Sequence, residues 1–130
     1  MLEELNGLGT ISKQEELRKR AKRFAIRIIR LFQHLPHSPE AQVLGKQQLR
    51  SATSLGANYR AVGRARSKAE FISKIGIVVE EIDETVFWLE CLVESGIVRK
   101  ELLADLMREA DELLAIFAAS QRTAKSRTMN

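Results

Sequence analysis

A long apolar period runs through residues 71–96, which read FISKIGIVVEEIDETVFWLECLVESG. Large apolar side chains recur about every 3.5 residues, the spacing at which one face of an α-helix packs against a neighbouring helix. Gly96 ends the pattern, and glycine readily adopts the left-handed conformation that follows a last helical turn. The stretch predicts a helix of about 28 residues, roughly 40 Å long, with a seam of Phe71 or Ile72, Ile75, Val78 or Val79, Ile82, Val86, Leu89 and Val93.

Two helices are predicted before this one. Helix one begins at the capping-box pair Ser12 and Glu15 and ends before Pro36, because proline cannot continue a helix. Helix two follows Ser38, a good N-cap, and runs to about Arg64. The apolar face of helix one contains Leu17, Ala21, Phe24, Ala25, Ile28, Ile29, Leu31, Phe32 and Leu35.

The remaining boundaries give a fourth helix. Ser67 and Glu70 have capping-box spacing and start helix three, and helix four starts near Arg99. Its seam contains Leu103, Leu106, Ala110, Leu113 and Phe117. Because short connections favour antiparallel neighbours, the pattern predicts an all-α, antiparallel up-down-up-down four-helix bundle. It forms one domain over residues 1–130, with an ordered core at about 13–121, a loose segment at 1–11 and a loose tail at 122–130.

Composition sets the broad class of the protein. The chain has 130 residues, 45% of them hydrophobic, with only two prolines and seven glycines, which favours one helical domain. Cys91 is the only cysteine, so no disulfide forms within the chain and a reducing cytoplasm fits. Charges interrupt every hydrophobic stretch, and no signal-peptide pattern is present, so neither membrane insertion nor a membrane partner is expected.

The two halves of the chain carry opposite charge. Residues 1–66 contain 13 Lys and Arg against 5 Asp and Glu, whereas residues 67–130 contain 8 against 12. Such asymmetry can attract an anionic partner to one face, or it can help parts of a bundle or separate subunits attract one another. The second explanation is the more ordinary one.

Basic side chains concentrate on helix one, opposite its apolar face. A file of cations on a solvent-facing band can neutralise several phosphates and bind nucleic acid with little sequence preference. The alternative is an ordinary solvated face. The predicted nucleic-acid-binding residues are Arg18, Lys19, Arg20, Lys22, Arg23, Arg27 and Arg30, and the surface can be extended by Arg60, Arg64, Arg66, Lys68, Arg122, Lys125 and Arg127.

Helix two carries an uninterrupted polar stripe. Ala52, Gly56 and Ala57 allow close backbone approach beside it, which suits a helix with partners on both sides. A polar subunit interface is favoured over a ligand site, since buried polar groups fix register when all of them are paired. Solvent exposure is the plain alternative. The predicted interface residues are Gln47, Arg50, Ser54 and Asn58, with Ser51 on the same face.

Catalytic and metal chemistry have little support in the sequence. A two-metal carboxylate site in a bundle needs a Glu-x-x-His spacing on two helices, and that spacing is missing. His34 and His37 flank a proline-containing helix end and suit a polar turn. Cys91 has apolar neighbours and no histidine near it in sequence, so a packed thiol is expected. We therefore expect no enzyme activity, no metal and no cofactor.

Three ordered motifs together resemble one bacterial family. They are QLRSATSLGANY at residues 48–59, SKAEFISK at 67–74 and EIDETVFWL at 81–89. This combination is similar to the four-helix-bundle proteins encoded in intervening sequences of 23S ribosomal RNA genes, over about residues 15–120. Two positions depart from the family pattern, Ala61 and Glu80, where relatives often carry an acidic residue and a lysine respectively.

The family resemblance also implies an oligomeric state and a partner, which the spacing of apolar residues does not. It implies a homopentameric ring related to the accessory protein of diversity-generating retroelements, which binds nucleic acid beside a reverse transcriptase. It assigns no catalytic role to the matching residues Arg50, Ser54, Asn58, Glu84, Thr85 and Trp88. The resulting prediction is a non-enzymatic, oligomeric RNA- or DNA-binding accessory protein that uses the basic face of helix one. The alternative is an oligomeric assembly module that binds a partner protein, such as a reverse transcriptase, without binding nucleic acid.

Overall fold

Four α-helices form the protein. The computed structural model describes the backbone of residues 2–129 and the side chains of residues 13–127. Within the described backbone every regular element is a helix, which confirms the predicted all-α four-helix fold. In chain order the helices are α1 (Leu2–His34), α2 (Pro39–Val62), α3 (Lys68–Glu94) and α4 (Lys100–Met129).

The signals that separate the central helices act as the sequence predicts. The Ser38 hydroxyl accepts a hydrogen bond from a backbone N–H in the first turn of α2, at 3.4 Å. The Ser67 hydroxyl accepts from the Glu70 N–H at 3.1 Å, and the Glu70 carboxylate accepts from the Arg66 N–H at 3.2 Å. Gly96 follows α3 with φ of +79°, a conformation that glycine adopts without strain.

The outer ends of α1 and α4 differ from the prediction. The α1 backbone is helical from Leu2, upstream of the predicted start at Ser12, because serine and glutamate at capping-box spacing are also tolerated inside a helix. Met1 and the side chains of residues 1–12 lie outside the described residues. The α4 backbone continues to Met129 through the predicted tail, since no glycine or proline follows Gly96. In that segment Ala124 is buried.

The core follows the predicted seams except on α3, where the register changes, and at Ile29 of α1, which was predicted on the apolar face and is 37% exposed. The whole predicted seam of α4 is buried, and Phe24 and Ile28 of α1 are almost fully buried. On α3 the innermost positions after Ile82 are Thr85, Leu89 and Leu92. The predicted Val86 and Val93 are only half-buried, because this helix is apolar over more than half its circumference and the pattern does not select one face.

Helix contacts follow the order of the chain. The α2 helix packs against α1 and α3, α3 packs against α4, and α1 and α4 share the smallest contact. The α1 and α2 helices meet closely at Gly45, where a Cβ would lie 2.6 Å from Leu35 Cδ1 and 2.8 Å from Phe32 Cδ2. In the described part of the chain, no helix has the length and hydrophobicity needed to cross a membrane.

Candidate nucleic-acid interface

Two cations of α1 are directed at α4. Burial of the apolar face of α1 in the core places Arg20 and Arg27 on the side of the helix that faces α4. Arg20 donates two hydrogen bonds to Glu109, Nη2 to Oε1 at 2.7 Å and Nε to Oε2 at 3.2 Å, and it also lies 3.7 Å from Glu112. Arg27 donates to Asp105 at 2.7 Å. These contacts connect the two helices that otherwise touch least.

The environment of Arg20 is that of an ion pair within the bundle. Its side chain is 21% exposed and that of Glu109 is 22% exposed. The hydrogen bond with Glu109 raises the pKa of Arg20, outweighing the opposing effect of its partial burial. The sequence predicts that Arg20 faces solvent, and this is wrong, because α4 supplies carboxylates at the matching height. The spacing of Asp105, Glu109 and Glu112 on one side of helix four is the sequence signal for this contact.

The other five of the seven predicted binding cations do not pair with α4 and are available to an external anion. They are exposed, and four of them have no acidic partner among the side chains of residues 13–127. The fifth, Lys19, lies 3.9 Å from Glu15 one turn away, a weak surface contact. The five residues are Arg18, Lys19, Lys22, Arg23 and Arg30.

A groove separates α1 from α2 on the outer surface. Its volume is about 480 Å³. Gly56 lets the helices approach, since a Cβ there would lie 3.7 Å from both the Ala21 carbonyl oxygen and the Ala25 Cβ. The lining residues are Glu15, Arg18, Lys19, Lys22, Ala25, Ile26, Ile29, Thr53, Gly56, Ala57 and Arg60. Cations of α1 and one cation of α2 therefore share a single depression.

The polar stripe of α2 contacts α3 of the same chain. Arg50 forms an ion pair with Glu84 at 3.2 Å and also donates to Gln47. Asn58 donates to Glu81 Oε1 at 2.6 Å. Ser54 is half-buried beside them. The stripe has partners without a second subunit, and its use as a subunit interface stays a prediction.

The core contains a polar layer that the sequence pattern did not predict. Ser51 and Thr85 are fully buried, and the Thr85 hydroxyl donates to the Ser51 hydroxyl at 2.9 Å. Gln48 is 1% exposed, and its amide has no hydrogen-bond partner among the described residues. The spacing of Gln48 with Ala41, Gly45 and Ala52 along one face signals its burial.

The Glu81 carboxyl group lies in a partly buried environment between α3 and α2. Burial raises its pKa, against the hydrogen bond from Asn58, which favours the charged form. Its Oε2 atom is buried without a partner in the described structure, as is the indole nitrogen of Trp88. Trp88 packs edge to face against Phe87, which is 55% exposed.

No metal-binding group is assembled in the described residues. No cluster of three or more histidine, cysteine, aspartate and glutamate side chains occurs there. The His34 ring contacts the Arg30 carbonyl oxygen at 2.8 Å, as expected for a polar helix end. Cys91 is a half-buried free thiol.

Comparison with known proteins identifies the family. The family model of the 23S rRNA-intervening sequence protein matches residues 13–119, a range that includes all seven predicted cations and the polar stripe. The chain belongs to this family. A member of the S23 ribosomal protein family from Bacteroides thetaiotaomicron VPI-5482, a protein with unknown function, has a similar crystal structure, with a TM-score of 0.78 and 32% sequence identity. The similarity covers 85% of this chain and 98% of the other. Among curated proteins, none matches the chain.

Proposed function

We propose that this member of the 23S rRNA-intervening sequence protein family is a non-enzymatic, oligomeric accessory protein that binds nucleic acid. The observation that carries the proposal is that five of the seven predicted α1 cations are exposed and do not pair with α4. Among the described side chains, Arg20 and Arg27 form ion pairs with carboxylates of α4, whereas these five cations do not. Of the five, only Lys19 lies near a carboxylate, that of Glu15 at 3.9 Å. The unpaired cations are available to release counterions from a phosphate backbone.

The proposed assembly is an antiparallel up-down-up-down bundle that closes into a homopentameric ring. Contacts that run in opposite sequence directions support the antiparallel order: Arg20 contacts Glu109, whereas Arg27, later in α1, contacts Asp105, earlier in α4. Exposed apolar side chains at Val43, Ile77, Phe87 and Leu102 support self-association, because contact with another copy removes them from water. The number five comes from the family resemblance alone.

Removal of two unpaired cations tests the binding site. We expect Arg23→Gln/Arg30→Gln to weaken binding of a fluorescein-labelled oligouridylate by about 25-fold at 0.1 M salt, from two lost phosphate contacts. Fluorescence anisotropy measures the affinity. The matched control is Arg99→Gln, an exposed arginine on the connection between α3 and α4. Equal affinity for wild type and the double variant would show that Arg23 and Arg30 are not phosphate contacts, which contradicts a binding surface formed by all five cations.

An assembly module that binds a partner protein is the second candidate. The exposed Phe87 and Ile77 on the acidic half of the chain favour it, since such side chains suit a protein contact better than a phosphate contact. A reverse transcriptase is the partner that the family resemblance implies. Native mass spectrometry with and without oligouridylate separates the candidates: an intact oligomer that retains no RNA at low salt supports the assembly module.

A further inference from the structure

The groove between α1 and α2 carries positive charge on both edges. Arg18, Lys19 and Lys22 line it from α1, and Arg60 lines it from α2. Glu15 is the one acidic residue of the lining, which leaves a net charge of +3, and it lies 3.9 Å from Lys19. Arg60 has no acidic partner among the described side chains. An anionic occupant is therefore held from two sides.

The floor of the same groove is apolar. Ile26 and Ile29 belong to the helix that bears most of the unpaired cations, yet they are 38% and 37% exposed. Gly56 and Ala57 add no side chain long enough to cover them. Apolar surface at the base of a charged depression favours an occupant that has both negative charge and an apolar face, because its binding removes that surface from water.

We propose that this groove binds single-stranded nucleic acid, with Arg60 as a phosphate contact and Ile26 and Ile29 as the surface on which a base or sugar lies. The inference rests on the proposed nucleic-acid-binding function and specifies its substrate class. A single strand presents phosphates and free base faces together. A duplex keeps its base faces stacked inside, so it reaches the cationic edges and leaves the floor in water. The side chains of Ile26 and Ile29 make no hydrogen bond to a base edge, so their contact with a base carries little base preference.

The test compares a labelled oligouridylate with a blunt RNA duplex of the same length. Arg60→Gln removes the cation of the α2 edge, and Ala57→Gln fills the floor without changing charge. We expect Arg60→Gln to weaken oligouridylate binding about fivefold at 0.1 M salt, the effect of one phosphate contact. The slope of the logarithm of the association constant against the logarithm of salt concentration should become shallower by about 0.7. Ala57→Gln is expected to weaken binding of the oligouridylate and to leave binding of the duplex unchanged. Arg99→Gln serves as the control, and circular dichroism checks that each variant is folded.

Each other outcome has a distinct meaning. If Arg60→Gln behaves like Arg99→Gln while Arg23→Gln/Arg30→Gln loses affinity, the groove proposal is overturned and the proposed function stands. Tighter binding of the duplex than of the oligouridylate contradicts the proposal that the groove binds single-stranded nucleic acid. Absence of binding to both RNA probes at low salt overturns the groove and the proposed function together. Binding of an acidic amphipathic helical peptide in the groove, without binding of oligouridylate, identifies a protein occupant instead.

Discussion

Arg20 forms an ion pair with α4, whereas five of the other predicted α1 cations do not. This difference predicts that Arg20 stabilises the fold and does not bind nucleic acid. The perturbation is a double-mutant cycle with Arg20→Gln, Glu109→Gln and the combined variant. The two side chains are joined by two charged hydrogen bonds at 2.7 and 3.2 Å. Glutamine keeps most of the side-chain length in each variant, so the cycle isolates the charged interaction from packing.

The geometry sets the expected magnitude. A hydrogen bond to a charged group contributes about 1.5–3 kcal/mol when shielded, and an exposed ion pair contributes about 0–1 kcal/mol. With each side chain about one-fifth exposed, solvent screening places the coupling energy between these limits, at about 1–2 kcal/mol. For a domain of this size, that is a loss of roughly 3–8 °C in Tm on Arg20→Gln. The more exposed pair of Arg27 and Asp105 is expected to contribute less than about 1 kcal/mol.

Urea denaturation followed by circular dichroism gives the coupling energy. All four proteins are compared at one concentration and one ionic strength, because self-association changes apparent stability. The same proteins are then tested for oligouridylate binding, where Arg20→Gln is expected to match wild type. A coupling energy near zero would refute the stabilising role of Arg20. A loss of RNA affinity on Arg20→Gln as large as on Arg23→Gln would refute the claim that Arg20 does not bind nucleic acid.

Two further predictions concern the interior. Gly45→Ala is expected to be less stable than Gly56→Ala by about 1–3 kcal/mol in urea denaturation, because a Cβ at Gly45 would lie 2.6 Å from Leu35 Cδ1 whereas one at Gly56 makes ordinary contacts. Both gain the same helix propensity, so equal stabilities would show that the close approach is absent. Burial raises the pKa of Glu81, so the folded state keeps its proton to higher pH than the unfolded state, and stability falls as pH rises through that interval. Glu81→Gln is expected to remove this fall, which begins as pH rises past the ordinary pKa of a glutamate. Glu84→Gln should retain the larger part of it, because burial is the main cause of the raised pKa and the charge of Glu84 a lesser one.

The helices were predictable because their signals are local. Ser38, Ser67 and Gly96 act through a few neighbouring residues, and the seam of α4 repeats without competing apolar positions. The outer limits of α1 and α4 were less predictable, since an internal capping-box pattern does not end a helix that has good helix formers on both sides. The choice of Thr85 over Val86 for the core depends on packing with two other helices.

The candidate site was only partly predictable for a related reason. A helical wheel identifies a cationic band on α1, but the pairing of Arg20 depends on the height of Glu109 on a helix about ninety positions later. The groove depends on how closely α1 and α2 approach, which Gly56 permits and no single-helix pattern reveals. Arg60 was predicted only as an extension of the basic surface, and the structure brings it to the same depression as Lys22.

The salt dependence of wild-type binding tests the central claim most directly. Anisotropy titrations of oligouridylate are measured over a series of salt concentrations, and the logarithm of the association constant is plotted against the logarithm of salt. The five α1 cations predict a slope of about −3.5, and Arg60 as a sixth phosphate contact makes it about −4.2. A slope near zero, or no binding at the lowest salt, would contradict the proposal that the unpaired cations of α1 bind nucleic acid.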